Sequence, residues 1–387
     1  MKERETGFWC LASGLFGGIA LLKGLRAPGV WAMSQLQITY FQGFVKRGLT
    51  GQLLYLLHIR SKHAVQAFCA AELLCLAGLL AVFTWKCGLL SKDGQPILVA
   101  AFAGSYAVTF LAHLIGYQDI SLYALVVAVL LIRHPRTRFL VAIPACIVAL
   151  LIHENFLVTA LPALLFSFVV DRESDRSEIP TIYACALLTI AILVTVSISL
   201  KSSLSPQALE TFKQATVARA AYPVDASVLG VLGFSAAENL RLNSEVISQN
   251  WWWWAELGVA VLSIGPLLAL MMHRASKTTH GLLKAAFFAA SLAPLLLNII
   301  GWDNVRWVSL CALTTYINLG LLNRSCVTEG RASVSLREQQ AAILVLGLGL
   351  ASGYGLMDGK KVNPYPFFPP TIRPAALRHD GVGAQIL

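Results

Sequence analysis

Long apolar runs separated by short polar turns set the pattern of this chain. The runs lie at 7–23, 63–85, 96–116, 119–132, 139–152, 156–170, 181–200, 254–272, 282–300, 307–322 and 339–357. Backbone polar groups inside a hydrocarbon layer have to be satisfied within the chain, so runs of this length read as helices. The pattern predicts an all-α, polytopic transmembrane helix bundle of about eleven spans. It covers residues 1–357, and a Pro-rich outer tail, 358–387, follows, in which NPYPFFPPTIRP reads as extended. Residues 24–62 suit short amphipathic helices at the interface. A larger outer loop, 201–253, carries helical stretches at 205–221 and 235–248 that suit a cap over a cavity. No internal repeat stands out.

Composition strengthens the membrane reading. The 387 residues are 57% hydrophobic and 13% charged, with mean hydropathy +0.67. A soluble domain is about half apolar and a quarter charged. Two basic residues precede the first run and no small-x-small cleavage site follows it, so that run reads as an uncleaved span. The eight cysteines show no metal spacing, and no disulfide framework is expected. A net charge of +10 suits an anionic membrane surface or a phosphate-bearing partner. Basic residues spread over loops on both sides speak against nucleic acid.

Orientation follows from Lys and Arg in the short loops. Placing the N-terminus in the cytoplasm makes the inner loops KCGLLSKDGQ, RHPRTR, DRESDRSEIP, HRASKTTHG and NRSCVTEGRASVSLRE. Per residue that side is about twofold richer in Lys and Arg. The inner loops then read as solvated charge, and the polar motifs GYQD, HEN and GWDNVRW fall on the outer face with 24–62 and 201–253.

Those motifs supply the candidate residues. From Lys23 to His63 there is no acid, but there are Lys23, Arg26, Lys46, Arg47, Arg60 and Lys62. Lys46 and Arg47 sit among Gly43, Gly48 and Gly51. The glycines allow close backbone approach to a ligand, and an arginine fork matches phosphate. Binding of lipid headgroups is the plainer account. In LIHENF the flanking runs are short, which places His153 and Glu154 below the surface as a base and its orienter. A polar interfacial turn is the alternative, and Leu157 rules out a zinc HExxH motif. In GWDNVRW, Asp303 and Arg306 share a face of a helical turn, either as a structural pair between Trp302 and Trp307 or as phosphate holder and orienter. Glu72, about nine residues into the second span, is either a protonated, hydrogen-bonded carboxyl or the partner of a site cation. His113, Tyr117 and Asp119 line the same cavity or a simple interface. WWWW at 251–254 reads mainly as an aromatic belt.

The short GFVKRGLTG, the later HE turn and the D-x-x-R-W junction resemble bacterial polytopic enzymes that build surface glycans: GT-C-type glycosyltransferases and O-antigen polymerases or ligases. The matching residues are few. GT-C enzymes typically carry an acid in the first outer loop, whereas Thr39 stands before Tyr40 here. The polymerases and ligases fit that point better. The resemblance implies an inner-membrane enzyme that takes a polyprenyl-(pyro)phosphate-linked sugar at the outer face and passes it to a glycan acceptor. Lys46, Arg47 and Arg306 would hold phosphate, with Asp119 and Glu72 beside the substrate, and His153, Glu154 or Asp303 would act on the acceptor. No cofactor or metal ligand is expected, and a divalent metal stays open. The competing class is a transporter or flippase of a lipid-linked or anionic solute, against which the missing repeat counts. A scaffold of an envelope assembly is the third.

Overall fold

The computed structural model describes residues 2–91, 95–175, 177–202, 204–234, 236–249, 251–279, 281–299, 301, 303–325 and 335–351. The described residues are helical throughout, with no strand. The Pro-rich tail, Trp302 and Cys326 lie outside them.

The chain runs α1 (Lys2–Gly24), α2 (Val30–Gln35), α3 (Gly48–Leu56), α4 (Lys62–Lys86), α5 (Pro96–Ala103), α6 (Tyr106–His113), α7 (Asp119–Leu130) and α8 (Pro135–Ile152). A 3-10 turn, Glu154–Leu157, leads into α9 (Leu161–Asp175) and α10 (Ile179–Lys201). The long loop forms α11 (Pro206–Arg219), α12 (Ala226–Gly230) and α13 (Ala236–Gln249). Then follow α14 (Trp251–Thr278), α15 (Gly281–Leu292), α16 (Asn304–Arg324) and α17 (Leu336–Ala351). Local chemistry sets several starts. Proline stands in the first turn of α5, α8, α10 and α11, where its missing N–H has no helical partner to lose. The Ser61 and Ser205 hydroxyls cap α4 and α11 by accepting from Ala64 and Ala208 N–H, each at 3.2 Å.

Among the described residues, eight helical segments are long and apolar enough to cross a membrane, nine if one bent pair is counted. The other predicted spans take different forms. The run 96–116 is α5 and α6, bent by 42° at Gly104–Ser105. There α17 crosses closely: a Cβ added to Gly349 would lie 2.4 Å from the Gly104 carbonyl oxygen. α7 has 12 residues, about 18 Å, too short for a core of about 30 Å. The predicted span 339–357 is described only to Ala351, within α17. The run 139–152, by contrast, extends back to Pro135, making α8 an 18-residue helix. So of the two short helices expected at HEN only the downstream one is short, α9 with 15 residues, whereas α8 on the upstream side is longer than expected.

α16 is the central post, with every residue from Asn304 to Asn323 buried. Its polar side chains meet partners on neighbouring helices: Thr314 with the Tyr123 hydroxyl at 2.6 Å, and Asn318 with the Ser291 hydroxyl at 3.1 Å. Peripheral helices instead turn large apolar side chains outward, such as Ile182, Leu193 and Leu200 on α10, as lipid-facing surfaces do.

Two short helices, α2 and α3, fold within 24–62 as expected, and the long loop closes over them. Tyr222 donates to the Met33 carbonyl at 3.1 Å, and Asp225 N–H donates to the Ser34 hydroxyl at 2.9 Å. Ile38, Val45, Phe212, Leu229 and Leu232 form a small apolar core between loop and cap.

The opposite end holds more than solvated charge. Arg138 is fully buried, pairs with Asp171 and donates to the Ile132 carbonyl at 3.2 Å. Arg324 donates to the Leu130 carbonyl at 2.7 Å. Both arginines therefore satisfy carbonyls at the C-terminal end of α7, where a cation is favoured by the helix dipole.

Candidate functional site

The N-terminal end of α7 faces the other way and carries Asp119. Its carboxylate Oδ2 accepts from Arg306 Nε at 2.7 Å and lies 2.6 Å from Arg306 Nη2. Arg306 Nη1 donates to Asp303 Oδ2 at 3.0 Å, closing the expected i,i+3 pair. The guanidinium lies 4.9 Å over the Tyr117 ring and 4.5 Å over the Trp307 ring. Asp119 and Arg306 are almost wholly buried, while the Asp303 side chain is 46% exposed. Three acidic or basic residues from two distant motifs thus form one cluster at the first turns of α7 and α16.

A second cluster lies beside it. Arg47 Nε donates to both Glu154 carboxylate oxygens at 3.0 Å, and Nη2 closes a further contact with Oε1. Arg47 is the residue before α3 and has φ of +63°, a left-handed conformation that costs a non-glycine residue about 1–2 kcal/mol. The His153 Nδ1 accepts from the Asn155 N–H at 3.1 Å, capping the Glu154 turn, and stands 3.5 Å from Glu154 Oε2. With Nδ1 an acceptor, the neutral imidazole carries its proton on Nε2 and presents a donor. Arg47, Lys46, Glu154 and Arg306 all act electrostatically on His153, so the two clusters are neighbours.

Lys46 sits half-buried under the cap, its Nζ 3.5 Å from the Phe234 carbonyl. Burial pulls its pKa down, the Glu154 charge pulls it up and Arg47 pushes it down again, with burial the strongest. Phe234 also lines a shallow groove of about 710 Å³ between α11 and α12, with Leu209, Glu210, Lys213 and Ser227.

The apparently unpaired cations of 23–62 mostly find partners inside the protein. Lys23 reaches the Gly349 and Leu350 carbonyls, each at 2.9 Å, and Arg26 donates to the His113 carbonyl at 3.1 Å. Arg60 lies 3.7 Å over the Tyr55 ring. The glycines also serve the fold. A Cβ on Gly51 would lie 2.1 Å from the Ile38 carbonyl, and one on Gly48 would lie 2.4 Å from the Tyr40 ring. Both let α3 press on its own loop, which corrects the expectation that they face a ligand. Gly43 has φ of +117° and open space where a side chain would stand.

The structure therefore brings together Lys46, Arg47, His153, Glu154, Asp119, Asp303 and Arg306. Glu72 stands apart: its carboxylate accepts from the Ser121 hydroxyl across α4 and α7. Trp253 is buried and accepts from the Asn304 amide at 2.9 Å through its carbonyl, while Trp254 is exposed. Missing from the sequence reading was Gln118, buried beside Asp119. The motif GYQD drew attention to the acid, and only burial marks the amide. Among the described residues, no three His, Cys, Asp or Glu side chains are grouped to hold a metal, and the seven described cysteines are free thiols.

Fold and site define a class: a multi-pass helical membrane protein with a buried cluster of paired charges at one end, beneath a helical cap. Comparison with protein-family models, curated proteins and solved structures finds no match for the chain.

Proposed function

We propose that the protein is an inner-membrane glycosyltransferase or polysaccharide polymerase that uses a polyprenyl-(pyro)phosphate-linked sugar at the outer face, with its N-terminus in the cytoplasm. The observation that carries this reading is the convergence of Lys46, Arg47 and Arg306 with Glu154, Asp119 and Asp303 at one end of the bundle. A membrane-borne anion approaching laterally meets cations and carboxylates together. In the reaction the acceptor oxygen bonds to the anomeric carbon, the carbon–oxygen bond to phosphate breaks, and phosphate leaves with the electron pair. Its growing charge needs cations. Arg47 and Arg306 are engaged by acids, whereas among the described residues Lys46 makes one long carbonyl contact, so Lys46 is the cation most open to phosphate. Asp303, the most exposed of the three carboxylates, takes the acceptor proton, and His153 donates from Nε2.

The direct test supplies purified protein with radiolabelled undecaprenyl-phosphate sugars and follows both glycan product and released carrier. No release with any sugar would reject the reading. A second reading, transport of the intact lipid-linked solute, draws on the bent pair α5–α6, which ends at His113, four residues before Tyr117 of the charged cluster. Proteoliposomes separate the two: a transferase cleaves the labelled donor, whereas a transporter moves it unchanged.

Two further expectations follow. In a background without native cysteines, a cysteine at Gln207 is expected to label from outside intact cells and one at Thr137 only after permeabilisation. The reverse would put the site in the cytoplasm. Because burial lowers the Lys46 pKa, its positive charge is lost at a lower pH than the usual lysine value of about 10.4. Carrier binding is expected to weaken on that alkaline limb, and Lys46→Arg to keep binding there. Identical pH profiles for parent and variant would take Lys46 off the phosphate.

A further inference from the structure

We infer that Gln118 binds hydroxyl groups of the sugar carried by the lipid-linked donor. The inference rests on the reading above and adds a residue and a chemistry to it. Gln118 precedes α7 and is only 2% exposed. Its carbonyl oxygen Oε1 and its amide Nε2 are both buried without a hydrogen-bond partner among the described residues. It stands at the N-terminus of a 12-residue helix, yet its side chain does not cap that helix. Asp119, the next residue, repeats the pattern: Oδ2 holds Arg306, and Oδ1 is buried without a partner.

Burying an unpartnered amide costs stability, since each lost hydrogen bond to water is uncompensated. An apolar residue of the same shape would avoid that cost. The backbone that carries the amide is closely packed. Gly116, at φ of +87°, lets the chain run against α2 and α4, where an added Cβ would lie 3.0 Å from Pro28 and 3.3 Å from Ala32 and Cys69. Tyr117 lies under the Arg306 guanidinium. Ligand pockets carry a few placed polar groups among apolar ones, and a buried amide with both polar atoms unpartnered, next to a charged cluster, suits that role.

The chemistry selects hydroxyls over phosphate. Phosphate oxygens only accept, so they match the cations of the site and find nothing at Gln118 Oε1 or Asp119 Oδ1. Hydroxyls donate and accept. Two acceptor atoms and an amide NH2 with two N–H donors, on adjacent residues, fit the alternating needs of sugar hydroxyls.

The test measures binding by native mass spectrometry, to undecaprenyl phosphate and to the same carrier bearing glucose or mannose, for the parent and for Gln118→Met. The parent is expected to bind a sugar-bearing carrier at least tenfold more tightly than the bare one. Gln118→Met is expected to lose that preference, to keep its affinity for the bare carrier, and to melt at the same or a higher temperature. A lower melting temperature with the preference intact would make Gln118 a structural residue served by buried water and overturn the inference. So would a parent that binds all three carriers equally, which leaves the carrier reading standing. A parent that binds none of them overturns both.

Discussion

Arg47→Lys is expected to lower turnover of a lipid-linked donor by about ten- to a hundredfold, although the charge is kept. The guanidinium touches Glu154 through Nε and Nη2 at once, and a lysine ammonium cannot reproduce that two-point contact. The loss is of alignment: Glu154 begins the turn that His153 caps, so a carboxylate freed from Arg47 no longer fixes that turn against α3. Arg47→Gly makes the sharper test. At φ of +63° glycine removes backbone strain, so this variant is expected to melt no lower than Arg47→Ala while remaining as inactive. A double-mutant cycle of Arg47→Gln with Glu154→Gln is expected to show coupling. If Arg47→Lys matches the parent at subsaturating donor, the pair is a structural clasp and the site lies elsewhere.

The largest stability effect is expected at Arg306. Removing it as Arg306→Met leaves Asp119 buried and charged without its partner, which costs about 3–5 kcal/mol. Replacing both members, Arg306→Met with Asp119→Leu, is expected to recover most of that loss, because no buried charge is left orphaned and Asp303, which also loses its partner, is exposed to solvent. Asp303 pairs with the same arginine but is 46% exposed, so Asp303→Asn is expected to cost no more than about 1 kcal/mol. Its effect is expected on turnover instead, as a lost base, by about 10²- to 10⁴-fold. Thermal unfolding in detergent, followed by tryptophan fluorescence, reads the first set, and product formation by the folded variants reads the second. Equal destabilisation by Asp303→Asn and Arg306→Met would remove the distinction between a positioning pair and a reacting carboxylate.

The sequence by itself determined the helical, membrane-embedded class, because runs of apolar residues this long leave the backbone no other way to satisfy its own hydrogen bonds. It also determined local geometry: the Asp303–Arg306 pair follows from helical spacing, and the prolines and serines that begin helices act within one turn. Which charges would meet was decided by tertiary structure. Arg47 and Glu154 are 107 residues apart, and Arg306 and Asp119 are 187 apart. The sequence puts Asp119 in a polar motif on the same face as Arg306, and Glu72 inside a span, but that Asp119 rather than Glu154 pairs with Arg306 was decided only by the docking of α7 against α16. Tertiary structure also shaped the helices: Arg138 in the first turn of α8 meets Asp171 of α9, and the run at 96–116 is bent where α17 crosses it. Apolarity is a property each residue carries into the membrane alone, whereas a buried charge is tolerable only beside its partner, and the fold alone supplies that partner.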